Sequence, residues 1–192
     1  FIPSNFKSCK IILVNTKVTH NLADSEYNHR RQDCESALLK IQQKDSSVHS
    51  LRDVNKEILK DHHHDLSETE FNRLLYVLQE NKRVLKAGSA IKEGDIGDFG
   101  KLMYKSHYGL RDLYEVSCRE LDFLVEFTEE KDYVYGSRMM GGGFGGCTIN
   151  LMEEDKIDDF IAEVTEAYSE EFGIQPDIII VSPSEGTVVT KV

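Results

Sequence analysis

The sequence has no tryptophan, three prolines, four cysteines and no long apolar run. No stretch approaches the ~18–20 apolar residues of a membrane-spanning helix, so no such helix is expected. No charged leader with an apolar stretch opens the chain, so no secretory signal is expected either. The cysteines form no CxxC pair, which favours free thiols in a reducing compartment over a disulfide framework: Cys9, Cys34, Cys118 and Cys147. These absences predict a soluble, cytoplasmic protein.

Positive charge is also scarce. The chain carries 23 basic and 34 acidic residues, a formal net charge of −11. Such a field repels polyanions, so binding to nucleic acid or to an anionic membrane surface is disfavoured. The length of 192 residues with 40% hydrophobic residues is enough for a core without a metal or disulfide staple.

The chain enters an apolar run, Lys10 to Val14, almost at its start. A continuous run of this kind is typical of a strand buried on both faces, with neighbours on each side. Because little sequence precedes it, we interpret the chain as part of a longer protein.

The remaining pattern separates helices from strands. Helical spacing and capping residues fill the middle of the chain, and further strands are predicted at the end: 134–140, 147–151, 177–181 and 187–192. A turn at Pro183–Gly186 precedes the last of them. Segregated helices and four strands favour an α+β fold over a parallel doubly wound fold.

A glycine-rich segment, Gly141-Gly142-Gly143-Phe144-Gly145-Gly146, satisfies GxGxxG literally. A dinucleotide site needs a helix directly after the glycines, whereas a strand pattern follows here. A protein-kinase loop needs a valine where Thr148 stands, and no HRD or DFG follows. Two interpretations stay open: a tight connection between strands, or backbone that passes very close to a ligand.

Three segments carry a family resemblance. Gly136–Cys147 resembles the third signature motif of the GHMP small-molecule kinases, in its galactokinase form. Leu22–Glu35 and Ser106–Asp122 resemble two further galactokinase segments, in the same order and spacing. The resemblance therefore covers nearly the whole chain.

The resemblance implies a ferredoxin-like domain, a four-stranded antiparallel sheet with helices packed on one face. Residues 21–192 would form the GHMP kinase C-terminal domain, and residues 1–20 a strand and linker at the junction with a missing N-terminal lobe. The implied activity is ATP-dependent phosphorylation of galactose to galactose 1-phosphate with Mg²⁺. In the family the catalytic base, the GEHxDY segment and the phosphate loop belong to the N-terminal half, and nothing in this sequence resembles them. No catalytic or metal-binding residue is therefore assigned, and the chain alone is expected to be inactive.

The resemblance also assigns site residues. Tyr27 matches a tyrosine that reaches the galactose, and residues 141–146 match an active-site wall packed against the phosphate loop. A side chain at Gly142 or Gly145 is expected to clash. Met140 stands where the family usually has threonine.

Other candidates have structural interpretations. Surface or inter-domain charge is expected at Arg30 and Arg31, a solvated loop at His62–His64, packing at Cys147, and helix-packing and polar-network roles at His107 and Tyr114. Three alternative functions stay open. They are a galactokinase-like sugar sensor, an N-acetylgalactosamine kinase (usually with tryptophan in place of Phe144) and a stand-alone ferredoxin-like binding module.

Overall fold

A computed structural model describes residues 9–18 and 23–182, with only the backbone described for residues 23–25. Its strands are β1 (Cys9–Asn15), β2 (Val134–Met139), β3 (Cys147–Glu153) and β4 (Asp177–Val181). Its helices are α1 (Ala23–Gln42), α2 (Lys56–Asp61), α3 (Glu68–Glu93), α4 (Ile96–Asp112), α5 (Arg119–Glu129) and α6 (Ile157–Phe172). The predicted α+β class is confirmed.

The strands form one antiparallel sheet in the order β2-β3-β1-β4. β1 is an inner strand, with Leu13 opposite Ile149 of β3 on one side and Ile179 of β4 on the other. The run at the start of the chain thus finds both neighbours within this chain and needs no strand from elsewhere. The predicted turn at 183–186 and strand at 187–192 lie outside the described residues.

Helices pack on both faces of the sheet. Ile12 and Val14 of β1 share a buried cluster with Phe160 and Val164 of α6. The alternate residues Cys9 and Ile11 pack instead with Phe99 and Met103 of α4. The prediction of helices on one face is correct for α5 and α6 but wrong for α4, because the strands are apolar on both sides and each face needs a cover.

Two glycines allow α4 to lie directly on β2. A Cβ added at Gly100 would stand 1.8 Å from the carbonyl oxygen of Tyr135, and one at Gly136 would stand 2.4 Å from the Cα of Gly100. No side chain fits between the two backbones, so this contact sets how closely α4 approaches the sheet.

A second core joins α1 to α3 away from the sheet. Ala37 and Ile41 of α1 pack with Leu74 and Leu78 of α3. All four cysteines are free thiols, as predicted. Within the described ranges, no helix is long and apolar enough to cross a membrane.

Glu70 ties the start of α3 to α1. Its carboxylate accepts hydrogen bonds from Ser36 Oγ and Lys40 Nζ, both at 2.7 Å, and from the Ser67 N–H at 2.8 Å in a capping box. Burial raises its pKa, but the hydrogen bonds from Lys40, Ser67 and Ser36 outweigh burial and lower the pKa from 4.5 to about 2. The folded state therefore favours the ionised carboxylate.

This depressed pKa predicts acid sensitivity. The contribution of Glu70 is complete above its unfolded pKa of 4.5 and is lost as the pH falls towards 2. Glu70→Gln should lower the free energy of unfolding at neutral pH and flatten its fall over that window, as measured by urea unfolding at several pH values. Glu68→Gln, at an exposed position in the same first turn, is the matched control. Equal pH profiles for Glu70→Gln and the unmutated chain would contradict the assignment.

Candidate functional site

Residues 141–146 connect β2 to β3 in a loop with an unusual backbone path. Met140 N donates to the Cys147 carbonyl at 2.9 Å and closes the hairpin. Five residues of this glycine loop have positive φ: Gly141 (82°), Gly143 (88°), Phe144 (59°), Gly145 (134°) and Gly146 (81°). Side chains rarely tolerate such angles, so the glycines are needed to form the loop.

The segment that follows β1 supports one side of the glycine loop. Thr16 donates both its backbone N–H and its hydroxyl to the Gly146 carbonyl, each at 2.8 Å. A Cβ at Gly145 would stand 2.4 Å from the Val18 carbonyl oxygen. Tyr168 of α6 donates to the Thr16 carbonyl at 2.9 Å, and burial raises its pKa to about 12, which keeps the phenol protonated as a donor.

The segment between α4 and α5 supports the other side. The Phe144 N–H donates to the Val116 carbonyl at 2.7 Å. A Cβ at Gly143 would stand 1.9 Å from the same carbonyl oxygen. The glycine loop is therefore held between two backbone segments that are distant in sequence.

Two arginines hold residues 113–116 in place. Arg30 donates to the carbonyls of Tyr114 (3.0 Å) and Glu115 (2.8 Å), and its guanidinium lies 5.7 Å from the centre of the Phe144 ring. Arg73, whose side chain is 2% exposed, donates to the Leu113 carbonyl and, at 2.7 Å, to the Glu115 carboxylate.

The sequence predicts surface or inter-domain charge at Arg30 and Arg31 and gives no role to Arg73. Arg31 agrees with that interpretation, since its side chain is 71% exposed and pairs with Glu35. Arg30 does not, because its side chain is 14% exposed and bonds within the chain. Helical spacing sets Arg73 on the opposite side of α3 from the apolar Phe71, so the sequence pattern does not indicate that its side chain is buried.

His107 and Tyr114 have the predicted polar-network and packing roles. His107 is fully buried, and its Nδ1 accepts the Met139 N–H at 3.2 Å, which places the proton on Nε2. Nε2 lies 3.1 Å from Asp122 Oδ1 without a well-aligned hydrogen bond. The Tyr114 ring packs 4.8 Å from the Tyr76 ring.

Tyr27 lies beside the glycine loop. Its side chain is 53% exposed, and its Cδ2 is 3.7 Å from the position of a Cβ at Gly142. The structure thus places a solvent-facing phenol ring next to exposed backbone, although the two are separated by more than a hundred residues of sequence.

The expected clash at Gly142 is not found among the residues that the structure describes. A Cβ there would make only the ordinary contact with Tyr27, whereas one at Gly143 or Gly145 would meet a backbone carbonyl. Gly142 is exposed and does not have a positive φ. A close approach at Gly142 therefore requires a surface outside the described residues.

The prediction of a solvated loop at His62–His64 is correct for the exposure of His63 and His64 but wrong for the local structure, because His62 caps α2 and His63–Asp65 form a 3-10 turn. His62 Nδ1 lies 3.2 Å from Asp65 Oδ2, and the His63 ring packs 4.7 Å from Phe71. No group of three or more metal-ligating side chains occurs in the part of the chain that the structure describes. Cys147 is the first residue of β3. Burial raises the pKa of the Cys147 thiol, which is unfavourable for a nucleophile.

Comparisons with known proteins agree with this architecture. Residues 87–170 match the family model "GHMP kinases C terminal". Galactokinase of Thermosipho africanus is 43% identical over 192 residues, covering 100% of this chain and 52% of that protein. Galactokinase of Thermotoga maritima is 42% identical over 186 residues, covering 97% and 51%. The crystal structure of Lactococcus lactis galactokinase complexed with galactose superposes with a TM-score of 0.87 at 32% identity, covering 93% and 46%. The chain thus spans about half the length of the relatives that it matches.

Substitution by alanine should affect the stability of the chain differently at Gly143 and at Gly142. Gly143→Ala should lower the free energy of unfolding by about 2 kcal/mol, because it adds strain at positive φ and a clash with the Val116 carbonyl. Gly142→Ala, the matched control one position away, should change it by less than about 0.5 kcal/mol. Thermal and urea unfolding of both variants measure the difference, and equal destabilisation would contradict the geometry.

Proposed function

We propose that the chain is the C-terminal half of a galactokinase, a member of the GHMP kinase family. The supporting observation is the convergence of the three segments that carry the resemblance. Tyr27, the Val116 carbonyl and the glycine loop come from different segments and meet at one surface. Identity of 42–43% to curated galactokinases over 97–100% of the chain supports the substrate class.

The proposed reaction transfers the γ-phosphoryl group of ATP to the 1-hydroxyl of galactose, with Mg²⁺ neutralising the phosphate charge. Catalysis of this kind depends on positioning and on charge compensation. The described residues include no group of three or more metal-ligating side chains. Because the resemblance places the phosphate loop and the catalytic base in the family's N-terminal half, we assign both, together with the metal ligands, to an N-terminal lobe outside this chain.

In this proposal the chain contributes a rigid wall and one sugar contact. Gly141, Gly142 and Gly146 are exposed, and among the described residues no atom beyond the two chain neighbours stands within 4 Å of a Cβ at Gly141 or Gly146. The phosphate loop of the N-terminal lobe packs against this bare backbone. Tyr27 offers its hydroxyl and its ring face to the sugar from the adjacent helix.

Met140 supports the alternative of a sugar sensor. Its side chain is 42% exposed at the entrance of the glycine loop, where the family usually places a threonine hydroxyl. A protein without that hydroxyl fits a sugar sensor that binds galactose and ATP with little turnover. The full-length assay below separates this alternative from an enzyme.

The first test compares the 192-residue chain with the longer protein. Each is incubated with ATP, Mg²⁺ and either galactose or N-acetylgalactosamine, and the sugar phosphate is measured. We expect the longer protein to phosphorylate galactose and the chain alone to be inactive. Turnover by the chain alone would contradict the assignment of the base and the phosphate loop to the other half. Galactose binding without turnover by the longer protein would identify a sensor, and a preference for N-acetylgalactosamine would identify the other kinase.

Tyr27→Phe tests the sugar contact in the longer protein. Loss of one neutral hydrogen bond should raise the KM for galactose roughly fivefold and leave the KM for ATP nearly unchanged. Tyr133→Phe removes a hydroxyl that lies 3.3 Å from Glu163, at the end of β2 away from the glycine loop, and is the matched control. Equal changes in the two KM values for Tyr27→Phe would argue against direct contact.

A further inference from the structure

A cavity of about 490 Å³ lies between α3, α4 and the face of the sheet that α5 and α6 leave uncovered. Its volume is typical of small-molecule sites. The walls are largely aliphatic. They are formed by three strands and two helices, which contribute among others Ile11, Arg138, Ile149, Leu151, Ile91 and Met103. These walls would therefore shield the apolar part of a bound ligand from water.

One end of the cavity is charged. Arg83 of α3 and Arg138 of β2 both approach the carboxylate of Glu80, with Arg83 in direct contact and the Nη1 of Arg138 at 3.8 Å. Ser106 Oγ also donates to Glu80, at 2.6 Å. The Arg83 and Arg138 side chains are only 11% and 32% exposed. Two guanidinium groups thus share one carboxylate, in a chain whose net charge is −11.

The donors of these arginines are incompletely used. Among the described residues, Arg83 donates to Glu80 alone, and Arg138 donates its Nε to the Met139 carbonyl at 3.1 Å. Neither has a second carboxylate within 4.0 Å in the described part of the chain. Burial lowers the pKa of both arginines, and for Arg83 the nearby Arg138 charge lowers it further. A second anion at this end would offset both effects.

We propose that this cavity binds an amphipathic monoanion, a carboxylate with an aliphatic tail. The carboxylate lies between Arg83 and Arg138, and the tail lies among the aliphatic walls. Met140 and Gly141 also line the cavity, so the occupant contacts the first residue of the glycine loop. The proposal rests on the cavity itself and does not depend on the proposed kinase function.

Calorimetric titration with decanoate, below its micellar concentration, tests the site. We expect saturable binding to one site, and at least about tenfold weaker binding of decan-1-ol, which lacks the charge. Absence of decanoate binding, or equal affinity for the alcohol, would overturn the proposal.

Variants of the chain locate the binding. Arg138→Gln should weaken decanoate binding about tenfold, and Arg138→Lys should retain part of the affinity. Ala87→Phe should abolish it by filling the cavity. Arg119→Gln removes a charge from a side chain that is 74% exposed and should leave the affinity unchanged. Thermal unfolding confirms that each variant folds, and unchanged affinity in both Arg138→Gln and Ala87→Phe would refute the location.

The same titration on the longer protein separates a ligand site from an internal interface. Retained affinity, with the same loss in Arg138→Gln, supports the proposal. Loss of binding in the longer protein would show that the other half covers the cavity, and would overturn it. Galactose phosphorylation by the longer protein is measured independently, so that failure of either proposal can be recognised by itself.

Discussion

The candidate site depends on two backbone carbonyls that enclose the glycine loop. Val18 presents its carbonyl to Gly145, and Val116 presents its carbonyl to Gly143 and accepts the Phe144 N–H. Neither contact tolerates a Cβ, so the loop keeps its path only while glycine occupies both positions. The exposed backbone at Gly141 and Gly142 is therefore positioned by glycines that face the interior. The two interior glycines thus hold the exposed backbone in place.

Two arginines connect the segment that carries Val116 to helices α1 and α3. Arg73 of α3 and Arg30 of α1 bind the carbonyls of residues 113–115 and so fix the segment that carries Val116. Glu115 takes a positive φ of 52° in this segment, which costs free energy that the surrounding hydrogen bonds must offset. The helices α1 and α3 thus support the candidate site, to which α1 also contributes Tyr27.

Parts of the site could be predicted from the sequence because their signals are local. The glycine loop lies between two strands, as the predicted strands at 134–140 and 147–151 indicate, and the resemblance singles out Tyr27, which lies on α1. The difference in surroundings between Gly142 and Gly143 could not be predicted. Both are glycines in one run, and they differ only in the atoms that lie opposite them in the fold. The close approach of α4 to the second face of the sheet could not be predicted for a related reason. It depends on Gly100 and Gly136, which are far apart in sequence and meet only in the fold.

The α+β class can be read from the sequence alone, as can the order of the described helices and strands, the free cysteines and the family resemblance, because periodicity and contiguous motifs are properties of neighbouring residues. The remaining features depend on the folded chain. Folding brings Tyr27 beside Gly142, sets Arg83 and Arg138 at one end of the cavity, and gives Arg30 and Arg73 their carbonyl partners. Each of these depends on atoms that are distant along the chain and whose separation is set by how helices and strands pack.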